Sequence, residues 1–202
     1  FYCLDFHECS KLLDCYFLLM INFLHFYAQP MNIVYLEMAG MYLIWLIMML
    51  LLPKKPQRII STICCVLSVG LILFFTIYKR SQGGELSLIP FISFTKIKEQ
   101  PEILRSMQMN IFLFIPFGLS TPFALPERLR HKVLLTVPAG MVISACVEAC
   151  QYFFSLGHCE TDDVIMNTIG AFAGATAFLI YTAIKKLINK RRNNKWKHIR
   201  KS

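Results

Sequence analysis

Glu148 and Gln151 stand three residues apart, and Asp163 and Asn167 four apart, each pair in or at the mouth of an apolar run. At the 3.6-residue helical period the members of each pair share a helix face. Carboxylates and amides so placed can move a proton, bind hydroxyl or ammonium groups, or hydrogen-bond one helix to another. Ser144 and Gly140 continue the Glu148 face, and Gly170 and Gly174 continue the Asp163 face with a GxxxG spacing that lets backbones approach closely. Asn110 opens a third apolar run, with Phe117 on the same face. Asn110, Phe117, Glu148, Gln151, Asp162, Asp163 and Asn167 form the candidate cluster.

Each member also has a plain structural role open to it. A carboxylate within a membrane span costs roughly 2.5–3.5 kcal/mol, so Glu148 must face the bundle interior or a wet cavity. It is either an acid or base for chemistry or a hydrogen-bonded link between helices. Asp162 can cap the helix that follows it, whereas Asn167 lies a turn too deep for that and is expected to bond another helix. Glu160, Asp162 and Asp163 are the candidate ligands for a divalent cation, which takes hard oxygen donors. Cys159 is the one nucleophile in the acidic loop, and the adjoining His158 is badly placed to form a dyad with it. No HExxH zinc motif, acid-phosphatase signature or facing Ser–His pair occurs, and no catalytic residue or cofactor is assigned.

These residues must be positioned by membrane helices. The chain has 202 residues, 56% hydrophobic and 16% charged, with a mean hydropathy of +0.53. Soluble domains carry about 25% charged residues. Apolar runs cover Ile33–Leu52, Ile59–Tyr78, Met109–Leu125 (holding Pro116 and Pro122), Val133–Phe154 and Val164–Ile184. They predict an all-α polytopic transmembrane bundle of five helices, the third kinked at proline. The stretch 12–28 is either a sixth helix, an interfacial one, or an artefact of an upstream extension. The chain opens on Phe1, which suggests a processed, truncated or extended chain with Met31 or Met38 as the initiator. The expected division is an N-terminal extension over 1–32, a transmembrane domain over 33–184 and a basic tail over 185–202.

Charge sets the expected orientation. "PKKPQR" at 53–58, "PERLRHK" at 126–132 and the C-terminal tail carry most of the Lys and Arg. Five helices place all three on one side, the cytoplasm by the positive-inside rule. The acidic loop 155–163 and the loop 79–108 then face outward, with "LSLIPF" as an extended or re-entrant segment on the outer surface. The formal charge of +9 is explained by this clustering, and no nucleic-acid partner is expected. Of eight cysteines none forms a CxxC pair; those inside apolar runs behave as small hydrophobes.

"LSLIPF", "NIFLFIPFG", "VEACQ" and "DDVIMNTIGAFAG", in that order, resemble the VanZ-like family of small membrane proteins over Leu36 to Ile184. Ser87 stands where the family often has Asn, and Gly157 and His158 where many members place an Arg. The resemblance implies a cell-envelope protein of Gram-positive type, associated with resistance to the glycopeptide teicoplanin. Three functions stay open. A non-enzymatic protein would bind a glycopeptide or a cell-wall precursor at an outer-leaflet cluster. An enzyme would act on a lipid-linked precursor, with Glu148 as acid or base. A transporter would use Glu148 as a proton relay. The lipid bilayer is the expected partner in all three.

Overall fold

The computed structural model describes residues 29–78, 86–155 and 159–199, together with Lys11, Asp14 and Leu18. Apart from those isolated positions, the stretch 12–28 lies outside the described residues, as do Gly157 and His158.

The described chain is an all-α bundle. Its elements are α1 (Met31–Leu51), α2 (Lys54–Leu73) closing in a π-helical turn (Phe74–Tyr78), β1 (Leu86–Ser87), α3 (Ile92–Lys96), α4 (Pro101–Ala124), α5 (Lys132–Phe153), β2 (Cys159–Glu160) and α6 (Thr161–Ile199). Five helices, all but α3, are long and apolar enough to cross a membrane. The strands are two residues each, paired in parallel with Leu86 against Cys159 and Ser87 against Glu160.

Three helices run further than their apolar stretches; α2 begins at Lys54 rather than Ile59, so residues 54–58, expected in a loop, are helical. α4 begins at Pro101 rather than near Met109, because Pro at the first turn and Glu102 beside it suit a helix N-terminus. Arg105 and Gln108 end the apolar run but not the helix. Residues 101–108, expected in the loop, therefore belong to α4. α6 continues past Ile184 to Ile199, since its Lys- and Arg-rich end holds no Gly or Pro to stop it.

α4 is the axis of the bundle. In its spanning window 67% of residues are buried, against 28–39% for the other four helices. Its closest neighbour is α6, and glycines explain how close. A Cβ on Gly170 would strike the Ile111 carbonyl, and one on Gly174 would meet Leu119 N at 2.7 Å. From the other side, a Cβ on Gly118 would lie 2.9 Å from the Ala171 carbonyl carbon. Lipid offers no hydrophobic force to press helices together, so such contact rests on dispersion between backbones. Gly140 of α5 faces the Ala171 methyl and the Phe117 ring, and so closes the third side.

α1 presents Val34, Met38, Met41, Trp45 and Met48 to the core at helical spacing. Leu36, Leu43, Ile59, Val66, Leu134 and Val142 point away from it, forming the lipid-facing surface. Cys64, Cys65, Cys146 and Cys150 are free thiols.

The glycine seam yields a test. Gly174→Val and Gly170→Leu should each destabilise the detergent-purified protein by about 3 kcal/mol, the upper range for overpacking. Gly40→Ala, with nothing within 4 Å of its Cβ, should change stability by no more than about 1 kcal/mol. Thermal unfolding of the three variants decides, and a wild-type midpoint for Gly174→Val would remove the seam.

Candidate functional site

The seam sets the axial register of α4 against α6, and that register brings their polar ends together. Asn110 Nδ2 on α4 donates to Asp163 Oδ1 in the first turn of α6 at 2.6 Å. One turn deeper, Asn167 Nδ2 donates to Ser144 Oγ on α5 at 2.8 Å. Asn167 thus links helices, as its depth suggests. On the same α5 face, Glu148 Oε2 accepts the backbone N–H of Glu160 at 3.0 Å. Gln151 Nε2 donates to the carbonyl of Thr76, in the π-helical turn of α2, at 2.9 Å. Asn110, Ser144, Glu148, Gln151, Asp162, Asp163 and Asn167 are all buried.

Asp162 reaches away from its own helix. Its Oδ1 accepts the N–H of Phe91, and its Oδ2 accepts the N–H of Ser93 at 2.9 Å. Both bonds clamp the segment after Pro90, where Phe91 is held at φ 65°, in the left-handed region a bulky residue rarely adopts. Such strain costs of order 1–3 kcal/mol and persists where surrounding bonds over-determine it. Ser93 Oγ in turn donates to Glu160 Oε2 at 3.2 Å. Together with the β1–β2 pairing, these bonds draw the "LSLIPF" segment into the bundle end. Its extended part is two residues long, and the chain then turns into α3.

The acids are adjacent in sequence but diverge in space. Asp162 binds the segment after Pro90, Asp163 binds Asn110, and Glu160 binds Ser93. Among the described residues, no group of three or more His, Cys, Asp or Glu side chains is placed to hold a metal ion. Glu160 and Asp163 nonetheless line one cavity, whereas Asp162 is taken up by the segment after Pro90. Phe117 also stands apart. It packs edge-on against Phe114 and faces Gly140 in the apolar core, about 10 Å from Asn110 along the helix axis.

A cavity of about 290 Å³ opens beside the cluster, its polar wall made by Ser87, Ser93, Lys96, Gln100, Ser106, Glu160 and Asp163. Ile103 and Met107 supply part of the apolar wall. The cavity mixes one ammonium with two carboxylates, three hydroxyls and one amide, so it can meet donors and acceptors at once. Glu148 does not line it. Behind it, Gln151 Oε1 and Asn167 Oδ1 are buried acceptors without a hydrogen-bond partner among the described residues. Thr76, Ser93 and Lys96 were not legible as site residues. Ser93 and Lys96 lie in a loop-like stretch, and Thr76 in an uncharged span where nothing marks a π turn.

A family model described as VanZ/LLP1 matches residues 40–184. Protein VanZ of Enterococcus faecium is 29% identical over 111 residues, which cover 54% of this chain and 58% of that relative. The match thus spans a little over half the length of the curated relative. No solved structure matches the chain.

The Asp162 clamp can be probed directly. Hydrogen bonds to a charged acceptor contribute about 1.5–3 kcal/mol, so Asp162→Ala should speed amide exchange at Phe91 and Ser93 by about tenfold or more. Asp162→Asn, which keeps one acceptor oxygen, should fall between. Mass-spectrometric hydrogen exchange over this segment is the measurement. Unchanged protection in Asp162→Ala would show that the carboxylate does not hold it.

Proposed function

The chain belongs to the VanZ/LLP1 family, and from that premise we propose that this multi-pass membrane protein lowers susceptibility to teicoplanin-type glycopeptides by binding a cell-envelope precursor. The site is the cavity beside Glu160 and Asp163, placed at the outer leaflet. The positive-inside rule supports that orientation. Lys54, Lys55, Arg58, Arg128, Arg130, Lys132 and the basic end of α6 belong to the opposite face of the bundle.

The observation that carries this reading is the cavity itself. At about 290 Å³ it is at the small end of ligand pockets, which run from roughly 300 to 1,000 Å³. It suits a fragment such as a peptide terminus or a sugar–phosphate unit rather than a whole glycopeptide. Lys96 offers a cation to a carboxylate or phosphate, and Glu160 and Asp163 offer acceptors to ammonium, amide or hydroxyl donors. A protein that holds such a fragment competes with the antibiotic for its target and needs no catalytic group. The enzyme reading is less favoured. Glu148 is buried, bound to the Glu160 N–H and absent from the cavity wall, so it is poorly placed to exchange a proton with a ligand there.

Expression of the wild-type chain in a susceptible Gram-positive host should raise the teicoplanin inhibitory concentration several-fold. Lys96→Gln and Asp163→Asn should return it to the host value, while Glu148→Gln should retain most of the effect. No change on wild-type expression would end the resistance reading. Loss of the effect in Glu148→Gln, at unchanged protein level in the membrane, would favour acid–base chemistry over binding.

A further inference from the structure

The opposite end of the bundle carries a second cavity, of about 250 Å³, lined by Lys54, Arg58, Glu127, Lys132, Phe178 and Tyr181 among others. It gathers three cations from two helices against a single carboxylate. Lys132 is 8% exposed, with its ammonium donating to the Leu125 carbonyl at 2.9 Å and lying 5.2 Å from the Phe178 ring centroid. Arg58 Nε donates to the Ala124 carbonyl at 3.3 Å. Lys54 Nζ donates to Glu127 Oε2 at 2.7 Å. That bond holds the Glu127 carboxyl below its usual range, so the pair stays charged at neutral pH.

These contacts leave most of the donors unspent. A lysine ammonium has three N–H donors and an arginine guanidinium five, against one hydrogen bond from each of the three side chains among the described residues. The backbone adds to the positive field. Lys54 and Lys132 are the first residues of α2 and α5, and neither helix has a side-chain cap. Burying Lys132 beside two further cations would be unfavourable without anionic compensation, and one shared carboxylate is little of it.

We infer that this cavity binds a phosphate-bearing anion, supplied as the headgroup of an anionic phospholipid in the adjoining leaflet. The lipid source is favoured by what borders the cations. Ile59 follows Arg58 directly and is 62% exposed, and Leu134 lies two residues beyond Lys132 and is 68% exposed. The cations therefore stand at the axial level where the lipid-facing surface begins, where a headgroup can enter beside the exposed Arg58 while its chains stay on the apolar belt. The aromatic rings of Phe178 and Tyr181 give the ester and glycerol portion an apolar wall. This site is independent of the precursor-binding reading at the other end of the bundle.

The detergent-purified full chain should be titrated with phosphatidylglycerol, phosphatidylcholine and inorganic phosphate. Thermal stability and retained lipid in native mass spectrometry are the readouts. Phosphatidylglycerol should stabilise and remain bound, whereas phosphatidylcholine should do neither. A basic residue at a membrane surface contributes about 1 kcal/mol to anionic-lipid attraction, so Arg58→Gln should weaken phosphatidylglycerol binding about fivefold. Glu127→Gln, which removes the opposing carboxylate, should strengthen it, a direction that folding damage cannot mimic. Stabilisation by inorganic phosphate equal to that by phosphatidylglycerol would keep the anion site but assign a soluble ligand. Equal retention of both lipids, or wild-type binding in both variants, would overturn it.

Discussion

Backbone contact between α4 and α6 is the constraint on which the rest of the structure depends. In water, two apolar helices would be pressed together by burial; within lipid they have only shape. Gly118, Gly170 and Gly174 supply that shape by letting each helix enter the other's carbonyl surface. Once the two are locked, Asn110 and Asp163 have no freedom to miss each other. Gly140 then brings α5 against the same pair of helices, which sets Ser144 opposite Asn167. The polar cluster is thus a consequence of the apolar seam.

The cluster in turn organises the segment between α2 and α4. Carboxylates at a bundle end are tolerated when their lone pairs are satisfied, and here three of the donors are backbone amides. Glu148 takes the Glu160 N–H, and Asp162 takes those of Phe91 and Ser93. Because the Asp162 bonds join elements distant in sequence, that acid acts as a fastener for chain that lacks a hydrophobic core of its own. The left-handed Phe91 belongs to this arrangement. A cavity forms where the fastened segment arches over the start of α4, and its polar wall comes from three separate elements and the turn into α6.

Much of this was legible in the residues. The five spans follow from apolar length, and the faces of Glu148, Asp163 and Asn167 from helical period. The pairing of α4 with α6 is prefigured by GxxxG. What stayed hidden shares a cause. Asp162 looks like a cap because Asp at a helix start commonly is one, and only the path of residues 86–96 shows where its oxygens go. Lys96 was invisible because nothing local ties a lysine between two loop-like stretches to acids sixty residues on. The early start of α4 was masked by Arg105 and Gln108, which lower hydropathy without lowering helix propensity. Asp162 and Asp163 are adjacent in sequence, yet successive residues on a helix point about 100° apart, so Asp163 reaches the cavity that Glu160 also lines while Asp162 bonds the segment after Pro90.

The distribution of charge along the spans bears on transport. In α2 no Asp, Glu, His, Lys or Arg lies between Arg58 and Tyr78, and α4 has none beyond Arg105. α5 has none between Lys132 and Glu148, and α6 none between Asp163 and Lys185. The polar groups in between are neutral pairs such as Tyr42 with Thr176, Cys65 with Thr121, and Asn167 with Ser144. Glu148 is five residues from the end of α5, or about 7 Å of rise, and its bond points outward to Glu160. A proton relay needs ionisable groups handed on through the bilayer's middle; α1 carries Glu37, whose Oε2 is a buried acceptor with no hydrogen-bond partner among the described residues, while the middles of the other four described spans hold no Asp, Glu, His, Lys or Arg. Glu148 lies at the acidic end, bonded to the Glu160 N–H, and the apolar seam of α4 and α6 separates that end from the basic one.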